Sequence, residues 1–190
     1  MNWIENLLIL VGISLDIFAG MEGSLVAKID KKHLTLVCGL IAIWQLAALY
    51  IGNVLAGLLY INDLARNERF IGTVIAAVIF FCLGVRLIVK AIKNERVNEH
   101  REENLGFKRF WRMAAVTSIY TLLTGIAFGF LETNLMVILI MIVCLTIAVV
   151  IMGTYTGYHF GFEHKRKAYV GGAILLWIAG FDVVFRYAMM

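Results

Sequence analysis

Not one proline occurs in the 190 residues, and only 16% of them are charged. Without proline, any kink or break in a helix must fall at glycine. The shortage of charge excludes an ordinary soluble domain, which carries ~25% charged and ~45–50% apolar residues; here 62% are hydrophobic. Cysteine is scarce too. Cys38, Cys82 and Cys144 all fall inside apolar runs at no close spacing, so they read as reduced and buried, without a disulfide. No nucleophile elbow, phosphate loop or zinc-protease motif is present, which argues against an enzyme. A cleavable signal peptide is not expected either, because Glu5 rather than a basic residue flanks the first apolar run.

Long apolar stretches dominate the chain. Six runs stand out, at residues 4–27, 34–59, 70–92, 110–131, 135–158 and 168–188. Each has the ~20 residues that a helix needs to cross a bilayer. None alternates as a barrel strand would. The expected fold is therefore all-α and integral to the membrane, with six transmembrane helices and the lipid bilayer as its surroundings.

The basic residues set the expected orientation. Lys28, Lys31 and Lys32, the stretch from Lys90 to Arg112, and Lys165 to Lys167 share one side of the membrane, whereas Arg66, Arg69 and Arg186 fall on the other. Positive charge collects in the cytoplasm, so both termini should face outward and the 93–109 loop inward. The net charge of +4 is then a topology signal, and nucleic acid is not an expected partner.

The chain also reads as two halves, 1–92 and 110–190, joined by the 93–109 loop. Ile13-Ser14-Leu15-Asp16 is similar to Thr117-Ser118-Ile119-Tyr120, and Leu83-Gly84-Val85-Arg86 to Ala179-Gly180-Phe181-Asp182. Three spans per half is an odd number, so the halves must be inverted repeats, an arrangement found in many secondary transporters.

Asp16 lies near the middle of the first run. A carboxylate there costs ~2.5–3.5 kcal/mol on insertion scales, and it marks either a site or a packing seam with a protonated acid. Gly12, Asp16, Gly20 and Gly23 share one helical face with little side-chain bulk. Gln45 and Tyr120 lie at the same estimated depth, with Ser14, Thr117 and Ser118 close by. Together they can form a site for a cation or polar solute, or they can simply hydrogen-bond helices together. Gly153 and Gly157 form a small-residue ladder that suits helix packing. Arg86 and Asp182, the other charges inside runs, fall about 7 Å inward and about 6 Å outward of the centre. Direct pairing is therefore not expected. Arg86 should snorkel inward, and Asp182 is a candidate for lining an outer path. Glu95, Glu99, His100, Glu102 and Glu103 in the loop read as a solvated segment, and His159, Glu163 and His164 as a polar interface.

These motifs support a resemblance. Ser14-Leu15-Asp16-Ile17-Phe18-Ala19 followed by Gly23 resembles the first-helix motif of the MntP family of bacterial manganese efflux pumps. Leu83-Gly84-Val85-Arg86-Leu87-Ile88 resembles its third-helix motif, and Thr117-Ser118-Ile119 opens its fourth-helix motif. The resemblance implies a plasma-membrane exporter of Mn2+ driven by an ion gradient. Mn2+ would be cargo bound at Asp16, and no cofactor is implied. The family's second intramembrane aspartate is Tyr120 here, an acidic position of its second helix is Gln45, and a carboxylate late in its third helix is Lys90. Two readings follow from that loss of acid: a partly hydrated metal held by Asp16 and neutral oxygens, or a different small polar or cationic solute, as in amino-acid exporters. A membrane scaffold that does not transport is the third.

Overall fold

The computed structural model describes residues 3–22, 31–61, 68–93, 107–131, 133–160 and 163–188. All of them fall in six helices and one short turn. The helices are α1 (Trp3–Glu22), α2 (Lys31–Ile61), α3 (Glu68–Lys93), α4 (Phe107–Phe130), α5 (Leu135–Phe160) and α6 (Glu163–Ala188). Gly23, the loop acids and most of the 93–109 loop lie outside the described residues. So do the side chains of His159, Glu163 and His164, and the surroundings of Gly157.

Five of the helices, all but α4, are long and apolar enough to cross a membrane. In α4 the apolar stretch is Ala114–Phe130, shorter than the expected run at 110–131. The reason is local: Lys108, Arg109 and Arg112 fill its first turns, so the helix starts polar and becomes apolar only after them. The turn into α5 is capped from both sides. Thr133 donates from its backbone N–H and its hydroxyl to Phe128 O, at 3.3 and 3.0 Å, closing α4. Asn134 Oδ1 accepts the Met136 N–H at 3.2 Å, the bond an N-cap residue makes.

Glycine decides which helices approach most closely. A Cβ on Gly172 of α6 would sit 2.7 Å from Gly12 O, so these two bare faces let α1 and α6 cross in contact. Gly52 and Gly125 do the same for α2 and α4: a side chain on either would strike the other helix's backbone at Leu122 or Leu49. On α5, Gly153 meets Phe18 and Met21 of α1, and Gly84 of α3 lies under the Trp177 indole. The order of these contacts along each helix makes α1 and α3 antiparallel to α6, α3 antiparallel to α4, and α2 parallel to α4, and the short turn after α4 sends α5 back the other way. The chain therefore traverses back and forth. Helix α1 is the most enclosed span, packed on α5 and α6 and touching α4. Large apolar side chains such as Ile43, Ile140 and Phe185 point outward from the bundle, as lipid requires. The protein is a multi-pass membrane protein.

Candidate functional site

Helix α1 carries Ile9, Leu10, Ile13, Ile17 and Met21 into the apolar core, and Asp16 goes in with them at 2% exposure. An isolated carboxylate there would be prohibitively desolvated. Its partner comes from α3. Lys90 Nζ donates to Asp16 Oδ1 at 2.7 Å, with the lysine side chain 29% exposed. Helical side chains lean toward the N-terminus, and in α3 that lean carries the ammonium away from the helix end and into the bundle. Removing one partner of such a pair leaves an uncompensated charge, at about 3 kcal/mol, the lower end of the buried-pair range because Lys90 is partly exposed.

Two tyrosines complete the enclosure. The Lys90 ammonium lies 4.5 Å from the Tyr120 ring centroid and 5.8 Å from that of Tyr169, while the Arg86 guanidinium lies 4.7 Å from Tyr120. Both rings are buried and present negative π faces to the cations. Arg86 is also within electrostatic range of Asp16. One carboxylate thus faces two cations. Asp16 Oδ2 and the Tyr120 hydroxyl are buried without a hydrogen-bond partner among the described residues.

The hydroxyls of α4 line the same interior but are tied to their own helix. Ser118 and Thr117 both donate to Ala114 O, Thr121 donates to Thr117 O, and Thr124 to Tyr120 O. Each spends its proton on the backbone and keeps oxygen lone pairs as acceptors. Ser14 is buried on α1. Gln45 is buried on α2, and its amide meets Thr146 Oγ1 of α5, which also contacts Ile142 O at 2.6 Å. One hydroxyl proton cannot serve two acceptors. The amide orientation with Nε2 donating to Thr146 satisfies both contacts and removes the orphaned donor.

Of the residues singled out in the sequence, the structure brings Asp16, Tyr120 and Arg86 together. Gln45 pairs with Thr146 instead. Asp182 sits on an outward face beside Phe181 and Phe185, two residues past Gly180, which packs on Phe80 and Phe81. Arg86 is exposed at the bundle surface, with its guanidinium over the Tyr120 ring. Gly12 and Gly153 make close helix contacts, and Gly20 is partly buried on α1. Tyr169 and Thr146 are additions, and so is the contact with Asp16 made by Lys90, the residue at the position of the family's third-helix carboxylate. A signal for Lys90 was available: it follows Arg86 by one helical turn, so the two share a face.

The cluster brings together a carboxylate, two cations and two tyrosine rings, groups whose chemistry suits a charged or polar solute. Among the described residues, no group of three or more His, Cys, Asp or Glu side chains could hold a metal ion. A divalent ion would have Asp16 and neutral oxygens, and an ammonium held at 4 Å would repel it by about 8 kcal/mol at an effective dielectric of 20.

Comparison with known proteins adds the family. The family model described as "Mntp: Putative manganese efflux pump" matches residues 28–184. A relative from Acetivibrio thermocellus named "Putative manganese efflux pump MntP" is 27% identical over 189 residues, covering 98% of this chain and 92% of its own. One of the same name from Dehalococcoides mccartyi is 26% identical over 194 residues, covering 100% and 97%. A third, from Pseudomonas syringae, is 28% identical over 116 residues, and that match spans 60% of either chain. No solved structure matches the chain.

Proposed function

The chain belongs to the Mntp family, and on that premise we propose that it exports Mn2+ across the bacterial plasma membrane as a secondary transporter. In this reading six spans form two inverted halves, 1–92 and 110–190, with both termini outside and the 93–109 loop in the cytoplasm. Asp16 is the central ligand.

Reciprocal contacts support the inverted halves. Exchanging α1, α2 and α3 for α4, α5 and α6 turns the α2–α4 packing into α5–α1 and the α1–α6 packing into α4–α3; α3–α6 and α2–α5 return themselves. The residue contacts obey the same exchange. Gly52 abuts Leu122 and Gly125, while Gly153 abuts Phe18 and Met21. The register that takes 16 to 120 also takes 18 to 122 and 21 to 125. Gly84 faces Trp177 while Gly180 faces Phe81, and Trp177 Nε1 donates to Phe81 O, its own equivalent, at 3.3 Å. Gln45 and Thr146 are equivalents under the register that takes 52 to 153.

Equivalents in contact must straddle the pseudo-axis, and in inverted repeats that axis lies in the membrane plane. Positions 45, 146, 81 and 177 then lie near the midplane. Positions 16 and 120, bridged by Lys90, belong with them. The observation that carries the proposal is this buried Asp16 carboxylate where the two halves meet. Everted vesicles from cells expressing the protein should take up Mn2+ above the level of empty vesicles. Uptake no higher than the control would overturn the manganese reading.

A second reading has its own observation. Asp16 and two tyrosine faces already hold a primary ammonium, that of Lys90, with Arg86 beside it as an anion partner. A small zwitterion presents the complementary pair of charges. Uptake of amino acids rather than Mn2+ by the same vesicles would select it.

A further inference from the structure

The central carboxylate is already occupied by a cation that belongs to the chain. We infer that Lys90 is a tethered competitor for the cargo, and that its displacement from Asp16 sets how tightly the protein holds a divalent ion. The inference rests on the manganese reading and deepens it.

Three observations carry it. The first is position. The ammonium sits 2.7 Å from Oδ1 of Asp16, and no second carboxylate is found in the cluster among the described residues. A divalent ion on that carboxylate and the ammonium beside it repel each other strongly at such range. The second is exposure. Lys90 is 29% exposed while Asp16 is 2% exposed, so the lysine has an open side to move toward and the aspartate has none. The third is a place to go. The Tyr120 and Tyr169 rings lie 4.5 and 5.8 Å from the same nitrogen, so the ammonium keeps aromatic contact as it swings off the carboxylate. The unpartnered Oδ2 and Tyr120 hydroxyl are polar groups that an entering ion can meet before Lys90 has moved.

A competitor of this kind weakens binding in proportion to how well it fits. A merely structural lysine does not. Mn2+ binding by the detergent-purified full chain separates the two cases, read from loss of the free Mn2+ electron paramagnetic resonance signal. Lys90→Gln keeps a hydrogen-bond donor for Asp16 and removes the charge; it should tighten Mn2+ binding by roughly tenfold or more, about 1.4 kcal/mol per tenfold. Lys90→Arg keeps the charge and should stay as weak as the unmodified protein. Lys90→Ala opens the seat itself. Added n-butylammonium, which is the lysine side chain cut free, should then compete with Mn2+ in Lys90→Ala and not in the unmodified protein.

Equal Mn2+ affinity in the unmodified protein, Lys90→Gln and Lys90→Arg would overturn the inference and leave the manganese reading standing. No Mn2+ binding in any folded variant would overturn both. Should Lys90→Gln not fold, the butylammonium competition in Lys90→Ala decides alone, and its absence counts against the inference.

Discussion

At the scale of single residues, charge and hydrogen-bond satisfaction govern what each position tolerates. Thr146 and Gln45 are a buried pair joining α2 and α5. Thr146→Val should cost about 1–3 kcal/mol, because the Gln45 amide is left buried without a partner. Combining it with Gln45→Leu should recover much of that loss, since two apolar groups need nothing from each other. Thermal unfolding of the two single variants and the double variant in detergent measures the coupling; additive losses would mean that the pair is not bonded. Tyr120 offers a contrast. Its hydroxyl is buried and unpartnered while its ring meets two cations. Tyr120→Phe should therefore fold with unchanged or slightly raised stability, and Tyr120→Leu should lose stability through the missing aromatic face.

Asp16 and Tyr120 stand out in the sequence because a polar group in an apolar run has few innocent explanations. Lys90 does not, because residue counting puts it near a helix end, where lysines normally reach water. Only the lean of its side chain along α3, and the neighbour it finds there, turn it inward. That information is tertiary. Tyr169 is hidden for the same reason: a tyrosine near the start of a span reads as an interface anchor.

At the scale of helices, the glycines make opposite predictions by position. Gly52→Ala and Gly125→Ala drive a Cβ into a neighbouring backbone and should cost about 1–3 kcal/mol through overpacking. Gly39 and Gly57 have nothing within 4 Å of a built Cβ. Alanine there should be neutral, or stabilising by up to ~1 kcal/mol through helix propensity. Melting temperatures of the four variants check this, and similar losses at all four sites would show that the α2–α4 contact is not as tight as described. The number and approximate extent of the helices were legible from the apolar runs alone. The α2–α4 seam was not, because Gly52 is isolated in sequence and acquires its meaning only from the glycine opposite. The apolar stretch of α4 begins later than the expected run, at Ala114, since three basic residues occupy the helix's first turns.

At the scale of the whole molecule, the proposed inverted halves rest on the reciprocal glycine contacts between residues 1–92 and 110–190. The short sequence likenesses between positions 13–16 and 117–120, and between 83–86 and 179–182, use the same registers as the contacts. The topology has a direct check. In a cysteine-free background, Thr133→Cys should react with an impermeant thiol reagent added outside intact cells, and Asn98→Cys should not; the reverse pattern would invert the orientation.

The central claim is that Asp16 carries the cargo charge across the middle of the bundle. Mn2+ transport in proteoliposomes containing purified protein tests it most directly, with Asp16→Asn compared against the unmodified chain. The amide keeps the shape and a hydrogen-bonding oxygen but brings no charge to offset a divalent ion. The account predicts that Asp16→Asn inserts and folds yet moves no Mn2+ above empty liposomes. Transport by Asp16→Asn at the unmodified rate would make the carboxylate a packing element and contradict the account.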